Sequence, residues 1–312
     1  MFVIKHKKIF FIISGVFATL AVFSVFFFGL NLGVDFKGGA ITEIAYLMSP
    51  LDIEKPNIKE LKTELQKLNL GDFTIQETSA TISGEAGGII LRTKDLTETE
   101  RQLVMGVLSQ NDKYQITGKR YNSIGPVIGQ ELREKATLAV VIVVLAIVFF
   151  ISFVFRKVTE VANLENKVSS WKFGLSAIIA LTHDIIIPVG IYACLGGIFV
   201  DYQINAVFIM AILAILGYSV NDTIVVLDRV RENLANAGKE SFDEIIGKSL
   251  GQTVARSINT SLTTLVVLLS LYFLGGEATK QFALILSIGV VFGTYSSIFL
   301  ATPLLTLFKN KS

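Results

Sequence analysis

Long apolar runs alternate with polar segments along this chain, and the length of the runs is the first structural signal. A hydrocarbon core of about 30 Å needs about 20 mainly apolar residues in a helix rising ~1.5 Å per residue. The stretches that meet this length are Ile9–Leu30, Ala136–Phe155, Phe173–Leu195, Ile204–Leu227, Ser257–Leu274 and Phe282–Phe308. The first follows Lys5, Lys7 and Lys8, as the apolar part of a secretory signal peptide would. Its run exceeds an ordinary signal core and no A-x-A-like site follows Leu30, which favours an uncleaved span.

Between the first two runs the pattern changes to that of a soluble domain. Val34–Leu47 reads as a strand with Gly38-Gly39 near its start. Asn57–Leu70 places Ile58, Leu61, Leu65 and Leu68 at helical spacing, with Gly71 suited to terminate the helix. Phe73–Thr78 and Gly88–Thr93 read as strands around a Ser-Gly-rich turn. Thr97–Gln110 opens on a capping-box pattern and sets Leu103, Val104, Val107 and Leu108 on one face; Lys113–Tyr121 closes as a strand. The order β-α-β-β-α-β is that of a ferredoxin-like split βαβ unit. The expected fold is therefore an α-helical membrane protein with six transmembrane helices and an α+β ferredoxin-like domain between spans 1 and 2. Residues 1–30 form the first span, 31–135 the inserted domain, and 136–312 a five-helix bundle.

Two polar connections interrupt the bundle. Arg156–Lys172 is short, whereas the loop 228–256 is longer and carries a capping box at Ser241-Phe242-Asp243-Glu244. Phe242, Ile245, Ile246 and Leu250 give that segment an apolar face. A helix lying along the membrane surface and a plain helical hairpin both satisfy this pattern.

Composition agrees with the membrane reading. Hydrophobic residues are 52% and charged residues 17% of the chain, with a mean hydropathy of +0.60, against about 25% charge in globular proteins. Lys5, Lys7, Lys8, Arg156, Lys157, Lys167, Lys172, Arg229, Arg231, Lys239, Lys248, Lys309 and Lys311 fall on one side if the spans alternate. The opposite short loops, Gly196–Gln203 and Gly275–Gln281, hold only Lys280. The positive-inside rule then puts both termini in the cytoplasm and the inserted domain outside. A net charge of +2 gives no field that would attract nucleic acid. The lone Cys194 lies in an apolar run and reads as a helix-packing residue.

Ionisable groups inside spans are costly, so each is a functional candidate. Asp184 follows His183 midway along the third span, Asp222 lies toward the end of the fourth, and Arg256 enters the fifth. Asp222 and Arg256 sit at compatible depths on antiparallel neighbours, so they are expected to pair. A static salt bridge and a titrating carboxylate are both consistent with such a pair. Asn221, Thr223, Asn259, Thr260, Ser261, Thr263 and Thr264 add groups able to hold water or relay protons. His183-Asp184 reads either as a relay element or as an aspartate satisfying polar groups between helices. His6 is the only other histidine, so no metal site is expected; no phosphate loop and no nucleophile–base triad is discernible, so neither a cofactor nor enzymatic chemistry is expected. Gly289 and Gly293, with Ser287, Ser296 and Ser297, allow close helix approach within the bundle, or dimerisation. Pro188 is expected to kink the third span.

Three segments together resemble one family. They are Gly33-Val34-Asp35-Phe36-Lys37-Gly38-Gly39 after the first span, Gly217 to Arg229 around Ser219-Val220-Asn221-Asp222-Thr223, and Arg256-Ser257-Ile258-Asn259-Thr260-Ser261-Leu262-Thr263-Thr264. This combination resembles the SecF family of bacterial protein-export subunits, with Leu227 where an aromatic is common. The resemblance implies half of an RND-superfamily bundle in the bacterial inner membrane, completed by SecD. It implies use of the proton-motive force to draw unfolded polypeptide outward from the SecYEG channel, with YajC and YidC as further partners. Asp222 and Arg256 carry over as residues implicated in proton conduction, facing an aspartate of SecD. The mechanism expected is that protonation of Asp222 loosens its hold on Arg256 and lets the bundle repack, moving the inserted domain through 31–39 and 124–135. A proton-coupled RND-type small-solute exporter and a non-transporting scaffold are the alternatives.

Overall fold

The computed structural model describes residues 2–47, 56–71, 73–78, 85–156, 170–199, 202–238 and 240–307. Expectations for Lys157, Lys167, Lys239, Lys309, Lys311, the Ser-Gly-rich turn and most of Arg156–Lys172 lie outside the described residues. The chain divides into two compact units, Leu32–Ala136 on one hand and Met1–Asn31 with Thr137–Ser312 on the other.

The inserted unit is a four-stranded antiparallel sheet backed by two helices. Its strands are β1 (Gly39–Leu47), β2 (Thr74–Thr78), β3 (Glu85–Thr93) and β4 (Ile116–Ile124), in the order β2-β3-β1-β4. This is the arrangement that a split βαβ repeat produces. Ala40 pairs with Thr93 on one side of β1 and with Ser123 on the other. Helix α2 (Ile58–Lys67), whose first turn is capped by Asn57 accepting from the Lys59 amide at 2.9 Å, buries Leu61 and Leu65. Helix α3 (Glu98–Leu108) buries Val104 and Leu108. The two helices close a core over Ile44, Tyr46, Ile89 and Leu91, and the Tyr46 hydroxyl donates to the Leu108 carbonyl at 3.0 Å. Burial holds that phenol above the ordinary tyrosine range.

Three sequence boundaries move. Val34–Lys37 is one helical turn rather than strand, because Gly33 precedes it in extended conformation and Gly38 closes it at φ 78. The strand begins at Gly39 (φ 133), where a Cβ would stand 2.5 Å from the Thr93 carbonyl oxygen, while one at Gly38 would stand 2.7 Å from Pro126 Cα. The glycine pair thus lets the incoming chain lie against both β3 and the start of the helix that begins at Pro126. Asn69 (φ 52) takes the left-handed position after α2, ahead of Gly71. The last strand starts at Ile116, not Lys113, because Gln110, Asn111 and Asp112 at positive φ first turn the chain.

Among the described residues, six helices are long and apolar enough to cross a membrane: α1 (Lys7–Phe28), α4 (Pro126–Val154), α5 (Ser170–Ile198), α6 (Ala206–Ala235), α7 (Phe242–Leu274) and α8 (Glu277–Ser296), the last prolonged by a π-helical segment, Ser297–Ala301. The apolar windows of α5 and of the α8 span are 50% buried and that of α6 44%, against 17%, 6% and 17% for α1, α4 and α7. Helices α5, α6 and α8 are therefore the centre of the bundle. Gly289 lets α8 lie against α6: a Cβ there would overlap the Ile215 side chain, and one at Gly293 would stand 3.0 Å from Ser219 Cβ. The glycine spacing thus serves packing within the bundle.

The loop expected at 228–256 is a helical hairpin. Helix α6 runs on to Ala235, and α7 begins at Phe242 behind the Ser241–Glu244 capping box and continues unbroken through the fifth span. Phe242, Ile245, Ile246 and Leu250 are buried against Val230 and Leu234 of α6. The apolar face finds its partner in the other arm of the hairpin and needs no membrane surface. Asn233 to Ser249 at 2.8 Å and Arg229 to Gln252 at 2.7 Å link the two arms.

Thr97 and Glu100 form a reciprocal capping box at the start of α3. Thr97→Ala is expected to lower the stability of the inserted unit by about 1 kcal/mol, read as an earlier thermal unfolding transition. The ion pair with Lys94, then the Thr97 amide and hydroxyl, pull the Glu100 carboxyl from 4.5 down to about 2. A folded-state value below the unfolded one means that this contribution is present at neutral pH and is lost as pH falls from the ordinary carboxylate range through about 2. Lys94→Ala is expected to flatten that acid limb in a pH series of unfolding curves. Gly39→Ala, forced to a positive φ against a backbone oxygen, is expected to destabilise the unit by about 1–3 kcal/mol, measured as loss of folded protein at physiological temperature.

Candidate functional site

The polar residues inside the bundle gather along the end of α8. Helical periodicity explains which ones point inward. Ser219 and Asp222 stand three apart on α6, and Ser257 and Ser261 four apart on α7, so each pair shares a face. Ser296 and Ser297 are consecutive at the junction of α8 with its π-helical segment, about 100° apart around the axis. One therefore faces α5 and the other faces the α6–α7 interface.

Asp184 of α5 is fully buried. One carboxylate oxygen lies 2.9 Å from His183 Nδ1, and the other accepts from the Ser219 hydroxyl and from Ser296 at 2.6 Å. The His183 ring is buried beside Tyr295, with centroids 6.1 Å apart, and its Nε2 has no hydrogen-bond partner among the described residues. Tyr295 in turn donates to the Phe10 carbonyl at 3.1 Å and accepts from Ser14 at 3.2 Å, tying α1 to the cluster.

Asp222 of α6 is half-buried and accepts from Ser257 of α7 at 2.5 Å and from Ser297 of the π-helical segment. The network continues to Ser261, which shares a hydrogen bond with Thr294 and accepts from the Tyr218 hydroxyl at 3.1 Å. The carboxyl oxygens of Asp222 are therefore held by hydroxyls, which can serve an ionised carboxylate or a neutral acid.

The expected contact between Asp222 and Arg256 is absent. Ser257 turns toward Asp222, and the residue before it on an α-helix points about 100° away. Arg256 accordingly lies exposed, and among the described residues it makes no ion pair. The mechanism in which Asp222 releases Arg256 within this chain falls with that contact. Of the relay candidates, Thr223 is buried but bonds to neither carboxylate, while Asn221, Asn259 and Thr260 are exposed. Arg256, Asn259, Thr260 and Thr263 recur at i, i+3, i+4 and i+7 and form one exposed polar stripe on α7.

Gly33, Asp35, Gly38 and Gly39 belong to the inserted unit and shape its entry, with Asp35 in the helical turn after Gly33. Among the described residues no group of three or more His, Cys, Asp or Glu is placed to hold a metal ion. Ser296 and Ser297, small packing residues by sequence pattern alone, are carboxylate donors. Their adjacency in an apolar run, level with Asp184 and Asp222 in the antiparallel topology, was the available signal that they are donors.

Comparison with known proteins places this geometry in a family. The model described as "Protein export membrane protein SecD/SecF, C-terminal" matches residues 104–311, and the "SecD/SecF GG Motif" matches 23–46. The chain is 36% identical to the protein translocase subunit SecF of Thermobaculum terrenum and 32% identical to that of Anaerolinea thermophila, in each case over 99% of this chain and 94% of the relative. The crystal structure of SecDF, a translocon-associated membrane protein from Thermus thermophilus, superposes with a TM-score of 0.77 at 29% identity. A structure of SecDF in the super-membrane-facing form gives 0.66 at 30% identity. This chain is covered to 99% in both and spans 38% of the length of either SecDF chain. The chain belongs to the SecF family of protein translocase subunits, non-enzymatic components of protein export.

Proposed function

We propose that this chain works with SecD as the second half of a proton-driven device that promotes late polypeptide export, and that Asp222 is its titrating carboxyl. The observation that carries this is a half-buried carboxyl inside a candidate span, held by hydroxyls and, among the described residues, by no cation. Such a group is able to gain and lose a proton without breaking an ion pair. The polar stripe of α7 supports the partner. An arginine facing hydrocarbon costs on the order of 3 kcal/mol, and Arg256 is exposed beside Asn259, Thr260 and Thr263. A carboxylate of SecD lying on this stripe neutralises Arg256 and covers the Asn259 amide. The stripe of one half and the acid of the other then make a complete charge set at the interface.

In this reading the protein sits in the bacterial inner membrane with both termini cytoplasmic, and the domain at 31–135 projects outward between the span at 1–30 and the bundle at 136–312. Asn221 and Thr223 flank the carboxyl, and Asn259 and Thr260 line the shared interface as water-holding groups. The cargo is unfolded polypeptide leaving SecYEG, with YajC and YidC as accessory partners. One proton moving through 100 mV supplies about 2.3 kcal/mol, enough to bias a two-state equilibrium of a few kcal/mol. Protonation of Asp222 changes what Ser257 and Ser297 donate to, and so acts on α7 and on the π-helical segment together.

Asp222→Asn keeps the hydroxyl contacts and removes the titration. Co-purification with SecD is expected to persist, while stimulation of export by the proton-motive force is lost in inverted vesicles. Undiminished stimulation would sink the reading. Arg256→Gln is expected to reduce recovery of SecD in a pull-down by about tenfold or more, the equivalent of ~1.4 kcal/mol; unchanged recovery would remove the stripe from the interface.

A further inference from the structure

Asp184 is, among the described residues, the most deeply buried carboxyl of the bundle and meets the same turn of α8 as Asp222. We propose that Asp184 is a second protonation site, a positioning residue coupled to Asp222 through the adjacent hydroxyls of Ser296 and Ser297. The coupling rests on the assignment of Asp222 as the titrating group and extends it to a residue on a different helix.

A serine hydroxyl has one proton to donate. Ser296 Oγ lies 2.6 Å from Asp184 and 3.0 Å from the Gly293 carbonyl. Ser297 Oγ bonds Asp222 and lies 3.0 Å from the Thr294 carbonyl. Each hydroxyl therefore has two acceptors and can serve only one at a time. Beside an ionised carboxylate the serine proton goes to the carboxylate. Beside a protonated carboxyl the acid O–H donates to the serine oxygen, and the serine proton turns to the backbone carbonyl of the preceding turn. The protonation state of each aspartate is in this way passed to one backbone oxygen of α8.

Those two oxygens are not independent. The Ser297 amide is shared between the Gly293 and Thr294 carbonyls, at the point where α-helical winding gives way to the π-helical segment Ser297–Ala301. A serine proton arriving at either carbonyl competes with that amide and shifts its hydrogen bond toward the other. Further along, the Thr302 hydroxyl donates to the Ser297 carbonyl at 2.9 Å and Ser176 of α5 donates to the Ala301 carbonyl, so the segment is anchored at its far end. Single-turn π segments inside helices are recurrent at functional sites. Here it adjoins the two serines through which both carboxyls reach the backbone of α8. Coupled sites titrate as a pair, with midpoints that belong to both groups. Among the described residues, the other titratable or charged groups around the cluster are His183 on α5, Tyr218 on α6, the outward-turned Arg256 on α7 and Tyr295 on α8; α1 contributes the Ser14 hydroxyl and the Phe10 carbonyl.

The test is a pH titration of the carboxylic-acid C=O infrared bands of the chain reconstituted with SecD, the bands being assigned with Asp184→Asn and Asp222→Asn. Asp184→Asn is expected to move the midpoint of the Asp222 band by about 1 pH unit. Ser296→Ala is expected to move the Asp222 band as well as the Asp184 band, and Ser297→Ala to move both in turn, while Ser296→Thr, which keeps the hydroxyl, restores the original midpoints. An Asp184 band that does not titrate, or serine variants that each move only their own aspartate, overturns the coupling. If Ser296→Ala fails to assemble, an Asp222 midpoint unmoved by Asp184→Asn overturns it alone. The export assay separates the two claims. Cross-shifted bands with export surviving Asp222→Asn leave the coupling standing and remove the role in export; independent bands with export abolished do the reverse.

Discussion

A carboxyl group placed between membrane helices must find hydrogen-bond donors, because the hydrocarbon around it offers none. That constraint organises the centre of this protein. Asp184 and Asp222 come from neighbouring helices, α5 and α6, and both reach toward α8, which answers with two consecutive serines. Ser219 and Ser257 complete the donor sets from α6 and α7. The arrangement fixes the rotation of four helices relative to one another. It also explains why α5, α6 and α8 are the buried core of the bundle. Small residues at the crossings follow from the same need: Gly289 and Gly293 let α8 approach α6 closely enough for short hydroxyl contacts to form.

The donors chosen have a consequence for chemistry. A lysine or arginine beside Asp222 would hold it ionised, and the bundle would have one electrostatic state. Hydroxyls tolerate both states of the acid, so the local structure distinguishes them only by where a few protons point. Under the proposed coupling, a change that small acts on the fold through the part of α8 where winding already departs from the α-helix. Arg256, meanwhile, is turned outward by the register that turns Ser257 inward. Carboxyl and cation are kept on different faces of the α6–α7 pair, Asp222 addressing the interior of this chain and Arg256 its exposed side.

The inserted unit is built on different physics. Its sheet is closed by a water-driven apolar core, with Tyr46, Leu61, Leu65 and Leu108 fully or nearly buried, and each helix is started by a side-chain cap. The Gly38-Gly39 pair belongs to this unit, where it lets the chain turn from a helical turn into β1 under Pro126. Its work is steric, at the entry to the sheet.

The amino-acid sequence by itself determined the spans, the β-α-β-β-α-β order and the capping boxes at Thr97 and Ser241, because run length, period and local caps are properties of consecutive residues. It also identified Asp184 and Asp222 as costly groups in need of partners. It did not determine the partners. Whether Asp222 meets Arg256 or Ser257 is a matter of one residue's rotation about α7, and depth along the membrane, which sequence counting supplies, carries no information about rotation. Likewise the apolar face of Phe242, Ile245, Ile246 and Leu250 was plain, but whether lipid or α6 covers it depends on how far α6 continues. Only the tertiary structure decided these, since the donors to each carboxyl lie on helices remote in sequence. The role of Ser296 and Ser297 emerges only when α5, α6 and α8 are packed together.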